Sequence, residues 1–176
     1  MSPPAPEAAV AELAALARAH LRVAGAGEDE MLARLARTAL ALGEAFTGAA
    51  FVVRAHEEAV VASGAWVPLP AEPVAAITGV SGAPGGAALP VGAYAVDIDE
   101  GGCGWVRVAA GLGRVSVEYQ AGLAPTFELA PEPLVQGAVL LVAHLFEDRA
   151  GVKMPPAAVA ALWRPYRRIK LDRRRA

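Results

Sequence analysis

The sequence has few of the residues that mark several protein classes. Its one cysteine, Cys103, excludes a disulfide within the chain and favours a reducing compartment, where it is expected to be an inert small residue. No uncharged apolar run reaches the roughly 18 residues of a membrane-spanning helix, so we expect no membrane span and no membrane partner. The first residues hold no basic group before an apolar stretch, so we expect no signal peptide. Aromatic residues make up only 6% of the chain, which predicts a core of Leu, Val and Ala.

Length and composition predict an α+β fold. A chain of 176 residues is long enough for one domain with a substantial core. Its 18 glycines and 14 prolines are too many for an all-helical bundle, so part of the chain must be rich in strands or loops. We predict a single α+β domain over residues 1–152, a helical bundle with a small antiparallel β insert at about 50–120. A short helix and an extended basic arm are predicted over residues 153–176.

Charge is distributed unevenly along the chain. The formal net charge of −2 combines 16 basic and 18 acidic residues. Residues 153–176 hold eight of the basic residues and one acid, Asp172, which leaves eight basic and 17 acidic residues in 1–152. The body therefore carries a charge near −9 and the tail a charge near +7. Such a split is typical of an interaction tail.

Two helices are predicted before residue 50. Aliphatic residues spaced three to five apart indicate the first at about 7–23, and Gly25 and Gly27 are expected to end it. The acidic cluster at 28–30 favours the start of the second, because negative charge stabilises the positive end of a helix dipole. Gly48 is expected to terminate it. The apolar face of this second helix is predicted to comprise Met31, Leu32, Leu35, Ala39, Leu42 and Phe46.

From residue 51 the pattern changes to short β-branched or aromatic runs between turn residues. Pro68 and Pro70 place one of these runs at a sheet edge or end it there. The runs at 104–108 and 115–119 alternate most clearly. We therefore predict a small antiparallel sheet with strands at 51–53, 60–61, 66–69, 74–80, 94–98, 104–108 and 115–119.

A proline-bounded stretch leads into the strongest helical pattern of the chain. Pro131 and Pro133 suit a first helical turn, where the N–H that proline lacks has no partner to lose. A helix is predicted over 134–149 and a short one over 156–163. The apolar stripe of the long helix is predicted to hold Leu134, Ala138, Leu141 and Leu145.

Patterns that would carry catalytic or ligand-binding chemistry are weak. The stretch 101–104 has no lysine and no following helix, both of which a phosphate-binding loop needs, so we predict a hairpin turn. Asp97, Asp99 and Glu100 lead into it and are interpreted as a solvated turn, with weak calcium binding as the alternative. No G-x-S-x-G phrase supports a serine nucleophile. We expect no enzymatic activity, no catalytic residue and no cofactor.

The three histidines, His20, His56 and His144, lie far apart in the sequence. His144 and Glu147 have the i, i+3 spacing that can bind a metal within a helical bundle. A di-metal site needs a second such pair and further carboxylates, which the first two helices do not supply. We therefore expect no metal site and place His144 beside a core or subunit contact.

The C-terminal arm mixes aromatic, aliphatic and cationic residues. Arginine and aromatic residues carry much of the binding energy of protein interfaces, and a purely solvated tail does not ordinarily hold so many apolar residues. We predict a docking segment for a protein partner. A nucleic-acid-binding module is the alternative, because arginine clusters also bind phosphates. This docking arm consists of Trp163, Arg164, Pro165, Tyr166, Arg167, Arg168, Ile169, Lys170 and Leu171.

Four phrases, in order, resemble those of phage head–tail connector (adaptor) proteins, which occur in tailed phages and phage-like gene transfer agents. They are LPAEPVAAITGV at 69–80, VEYQAG at 117–122, FEDR at 146–149 and LWRPYR at 162–167. The order and spacing hold over roughly residues 30–171. The first helix and the Gly/Ala/Pro-rich turn at 81–92 depart from the family pattern.

The resemblance implies structural work. Such connectors form a ring, usually a dodecamer, beneath the portal of a phage-like particle, and DNA passes through the channel without sequence-specific binding. The C-terminal segments reach the portal, and the opposite face receives the stopper or tail proteins. The expected partners are thus the portal, the stopper or tail proteins and further copies of the chain. The expected location is the head–tail junction of a virion or phage-like particle assembled in the bacterial cytoplasm.

Overall fold

The structure is a computed structural model that describes residues 3–25, 27–82, 85–148 and 156–168. The described chain divides into two compact units. The β unit comprises residues 3–4 and Val52–Pro125, and the helical unit comprises Ala5–Phe51 and residues 126–168. The β insert predicted at about 50–120 therefore corresponds to the β unit. The division into a domain of 1–152 and an arm of 153–176 stays a prediction.

Helices α1 (Glu7–Leu21), α2 (Asp29–Thr47), α3 (Glu132–Glu147) and α4 (Ala157–Trp163) form the helical unit. The first three pack against one another, and α4 packs against α3. α1 ends earlier than predicted, because Arg22 adopts the left-handed conformation with φ 55° before the glycines are reached. Gly48 ends α2 with φ 74°, as predicted. Within the described ranges no helix combines the length and apolarity that crossing a membrane requires.

The buried face of α2 is rotated from the predicted one. Leu42, predicted to face inward, is 48% exposed. Gly43, the next residue, lies on the buried face instead, and the rings of Phe51 and Trp163 pack close to its backbone. Small residues therefore occupy much of the buried stripe, and periodicity in large apolar residues does not detect them. The buried residues of α2 are Leu32, Ala36, Ala39, Leu40, Gly43 and Thr47.

The β unit contains two three-stranded antiparallel sheets within its described residues, where one small sheet was predicted. The strands are β1 (Arg54–Val61), β2 (Trp66–Pro68), β3 (Val74–Gly82), β4 (Tyr94–Ile98), β5 (Gly104–Val108) and β6 (Arg114–Ala121). Their spatial orders are β1-β6-β3 and β2-β5-β4. The α+β class is confirmed.

The first predicted strand, 51–53, is wrong. Phe51 and Val52 are buried but precede the strand, which begins at Arg54. The register of β1 on β6 runs from Arg54 opposite Ala121 to Val61 opposite Arg114. The first half of β1 is polar and charged, so it lacks the apolar signal of a strand. The long pairing with β6 supplies the stabilisation that local propensity does not.

Apolar side chains from both sheets form one core in the β unit. β6 contributes Val115, Val117 and Tyr119, and β5 contributes Val106 and Val108, all at most 2% exposed. The Tyr119 hydroxyl accepts a hydrogen bond from the Ala71 N–H at 3.2 Å. Burial raises the pKa of this phenol above its usual range. The core is dominated by valine, in agreement with the scarcity of aromatic residues.

The chain leaves β6 through a residue that must be glycine. Gly122 has φ 153°. A Cβ at this position would lie 2.5 Å from the Val53 nitrogen and 2.6 Å from the Val52 carbonyl carbon. The Gly122 N–H donates to the Pro73 carbonyl at 2.9 Å. The end of the VEYQAG phrase is thus a point where backbone packs directly on backbone.

Gly122→Ala is expected to lower the free energy of unfolding by about 2–3 kcal/mol, because the new methyl group overlaps backbone atoms that have no room to move. Urea denaturation followed by circular dichroism measures the change. Gly92→Ala is the matched control, since a Cβ there meets nothing within 4 Å and the backbone is not in the positive-φ region. Equal stability of the two variants would contradict the close approach.

Candidate functional site: the docking arm

The structure describes the first six residues of the docking arm. Trp163 is the last residue of α4, and Arg164–Tyr166 form a single turn of 3-10 helix. Arg167 leaves that turn in an extended conformation and Arg168 follows it. The predicted docking residues Ile169, Lys170 and Leu171 lie outside the described residues.

Trp163 is an internal anchor of the helical unit. Its side chain is 3% exposed, and its indole N–H donates to the Leu134 carbonyl at 3.2 Å. The rings of Phe46 and Phe51 lie on it with centroid distances of 6.0 Å each, the second in an edge-to-face arrangement. Trp163 was predicted to bind a partner, but its indole is enclosed by the chain's own side chains. The exposed part of the predicted docking arm starts at Arg164.

Two helical glycines make room for the indole. A Cβ at Gly137 of α3 would overlap the indole nitrogen and lie 2.8 Å from Cε2. A Cβ at Gly43 of α2 would lie 3.1 Å from Cη2 of the same ring. Neither glycine was predicted to have a role in packing. Glycine within a long helix is unfavourable, so these two positions were the available signal for close packing.

Beyond Trp163 the chain passes the C-terminal end of α2. The Arg168 N–H donates to the Thr47 carbonyl at 2.7 Å. Gly48 permits this approach, because a Cβ there would lie 3.1 Å from the Arg168 carbonyl oxygen. The Arg167 guanidinium lies 5.9 Å from the centroid of the Phe46 ring, within the range of a cation–π interaction. The course of the chain up to Arg168 is thus set by backbone and ring contacts.

The positive charges near this corner come from the arm. The last turn of α2 contains no basic residue. Its C-terminal carbonyls carry partial negative charge, and the one at Thr47 accepts the hydrogen bond from the Arg168 N–H. Arg164 and Arg167 are exposed, and Tyr166 is half-buried. The exposed guanidinium groups can pair with carboxylates or phosphates of a partner.

The hairpin turn predicted at 101–104 is confirmed, and Asp99 organises it. Its carboxylate accepts hydrogen bonds from the Cys103 N–H at 2.8 Å and the Trp105 indole N–H at 3.3 Å. These bonds give Asp99 a structural role in the β4–β5 connection.

Throughout residues 3–25, 27–82, 85–148 and 156–168, no three His, Cys, Asp or Glu side chains meet as a metal site requires. His56 stacks on Tyr119 with a centroid distance of 5.3 Å.

This architecture also occurs in solved structures of other proteins. No protein-family model and no curated protein matches the sequence. The chain is similar to a chain in the neck of an empty gene transfer agent (GTA) particle with C6 symmetry, at 26% identity, with a TM-score of 0.73 over 99% of this chain and 97% of that chain. A chain in the virion of a native GTA particle matches at 26% identity, with a TM-score of 0.72 over 96% and 94%. A chain in the neck of a native GTA particle with C12 symmetry shares the fold at 24% identity, with a TM-score of 0.75 over 99% and 97%.

The resemblance to the head–tail connector family is confirmed. The shared architecture extends over nearly the whole chain and so includes α1, which the four phrases did not cover. The likeness to chains of gene transfer agent particles therefore does not rest on the four phrases alone.

Gly137→Ala is expected to destabilise the helical unit by about 2 kcal/mol, because the methyl group displaces the Trp163 indole. Helix propensity alone predicts the opposite sign, a gain of about 1 kcal/mol. Gln136→Ala is the control, since Gln136 is exposed on the same turn of α3. Chemical denaturation followed by tryptophan fluorescence measures both variants. An increase in the stability of the Gly137→Ala variant would contradict the close contact between the Trp163 indole and Gly137.

Proposed function

We propose that this protein is a structural connector in the neck of a phage-like particle. It forms a ring that joins the portal to the stopper and tail, and DNA passes through its channel. The observation that carries the proposal is the likeness to GTA neck chains at a TM-score of 0.73 over 99% of this chain and 97% of that chain. Its work is done by binding, and no reaction is assigned to it.

Cyclic symmetry supports assembly of the chain into a ring. Two of the similar structures are GTA necks with C6 and C12 symmetry. A cyclic ring is held by a heterologous interface, in which one patch of each copy contacts a different patch of the next. Further copies of this chain are therefore the first partners that the proposal names, and the location is the neck of the particle.

The docking arm is the proposed contact with the portal. Arg164 and Arg167 are exposed and follow directly after the buried Trp163. The buried indole fixes the start of the segment from which these two cations face a partner. Arginine pairs bidentately with carboxylates, which makes an acidic groove of the portal the expected receptor. In the sequence, Ile169 and Leu171 add apolar groups next to Lys170, and such a mixture is typical of an interface.

The acidic body suits a channel for DNA. Residues 1–152 hold 17 acidic and eight basic side chains. A surface of the same sign as the phosphate backbone repels it, so DNA slides past without adhering. The arm carries the opposite charge, so this role falls to residues 1–152.

Reversing the charge of the arm tests the portal contact. The double variant Arg164→Glu and Arg167→Glu is expected to bind isolated portal rings at least about tenfold more weakly, since like charges replace salt bridges. Surface plasmon resonance on immobilised portal measures the affinity, and circular dichroism checks folding. Arg34→Glu is the control, because Arg34 is exposed on α2 and makes the same charge change away from the arm. Undiminished portal binding by the double variant would remove the arm from this role.

A DNA titration separates the connector from the alternative function, a nucleic-acid-binding module that uses the same arginines. We expect duplex DNA to bind weakly, and the arm variant to change this little. Phosphate contacts would show as an affinity that falls by orders of magnitude between about 50 and 200 mM salt. Fluorescence anisotropy of a labelled duplex at both salt concentrations measures it. Tight, steeply salt-dependent binding that the double variant abolishes would favour the alternative.

A further inference from the structure

Among the described residues of the β unit, three of the four sheet edges carry features that hinder pairing with another strand. β2 contains Pro68, which has no N–H to donate. β3 is interrupted by two register shifts relative to β6, and such bulges disturb an edge. β1 bears the charged residues Arg54, Glu57 and Glu58. Natural sheets use these devices to prevent association through their edges.

The remaining edge, β4, has none of these devices along its length. It contains no proline, pairs with β5 without a register shift and carries one charged residue, Asp97. The β4–β5 ladder is continued by the Ala109 N–H to the Ala93 carbonyl at 2.9 Å and by the Asp99 N–H to the Cys103 carbonyl at 3.1 Å. Because bonded pairs alternate in an antiparallel ladder, the odd-numbered residues of β4 bond to β5. The N–H and C=O groups of the even-numbered residues point away from the sheet, and these residues are Tyr94, Val96 and Ile98.

The side chains on this edge are apolar and accessible. Val96 is 43% exposed and Ile98 is 40% exposed. Val96 lies opposite Val106 of β5, which is completely buried, so both belong to the core-facing side of their sheet. The apolar face thus extends beyond the core to the last strand. A strand added at β4 would cover both residues.

We propose that β4 is a docking edge for β4 of a second copy of this chain, which joins the two sheets into one six-stranded sheet across a two-fold axis. Antiparallel pairing centred on Val96 sets it opposite Val96 of the partner subunit and sets Tyr94 opposite Ile98 of the partner subunit. Every outward N–H and C=O group of the strand then has a partner. Asp97 meets Ala95 of the partner subunit, so no like charges face each other. The edge is therefore complementary to itself in shape, hydrogen bonding and charge.

This pairing goes beyond the proposed connector function. It is isologous, whereas neighbours around a cyclic ring contact each other heterologously. The pair is therefore a form of the free chain and must separate, or use a different contact, when the chain joins a ring. Pairing at β4 protects an apolar edge and competes with any ring contact that uses this edge.

Cysteine crosslinking tests the register. In a Cys103→Ser background, Val96→Cys is expected to form a disulfide-linked dimer under mild oxidation, because Cα atoms of a hydrogen-bonded pair lie about 5.5 Å apart and a disulfide spans that distance. Ile98→Cys is the matched control. The two Ile98 positions are offset by four residues along the strands, about 13 Å, which is too far for a disulfide. Non-reducing electrophoresis gives the dimer fraction. Equal crosslinking of both variants, or of neither, would overturn the pairing.

Light scattering gives an independent test of the dimer. Wild-type protein at sub-millimolar concentration is expected to have twice the chain mass of 18.0 kDa, and Val96→Lys is expected to have the mass of one chain. Val61→Lys should remain dimeric, since Val61 is exposed on the edge strand β1. A monomeric wild type would refute the proposal. A larger assembly that Val96→Lys dissolves would show that β4 pairs with a different edge. Portal affinity reads out the connector function separately from either result.

Discussion

The packing of the Trp163 indole between α2 and α3 is the interaction on which the helical unit depends most. α4 has seven residues, which is too short for a helix to be stable by itself. Its last side chain fills the space left by Gly43 and Gly137, and its indole N–H satisfies the Leu134 carbonyl. Phe46 and Phe51 close the same cluster. One aromatic residue thus connects α4 both to α3, its neighbour in the sequence, and to the distant α2.

The β unit has a corresponding constraint in its central strand. β6 pairs with β1 on one side and with β3 on the other, so its residues are fixed by two neighbours. At its end Gly122 allows the backbone of residues 52–53 to pass in direct contact. A second tight contact lies at Gly104, where a Cβ would overlap Val74 and Leu69. Two of the phrases that resemble head–tail connectors, 69–80 and 117–122, contain residues of these contacts. The resemblance in these two phrases therefore reflects residues that pack closely in the β unit.

Some of this fold could be predicted from the sequence because its signals are local. α2 ends at Gly48 and α3 begins near Pro133, since glycine and proline act through the backbone of their own residue. The first half of β1 could not be predicted, because its strand conformation depends on β6, some 60 residues away. The division of the docking arm into a buried tryptophan and exposed arginines could not be predicted from neighbouring residues either. A tryptophan beside arginines is equally typical of a core and of an interface, and only the glycines of α2 and α3 decide between the two.

The hydrogen bond from the Arg168 N–H to the Thr47 carbonyl has a mechanical consequence. A partner that holds the chain beyond residue 168 and moves away pulls first against this bond and then against the buried indole. Tension therefore enters the protein at the end of α2, and the packing of α4 against α3 is loaded only after the bond at Thr47 has broken. The bond at Thr47 thus shields the packing of the indole from a pull on the end of the chain.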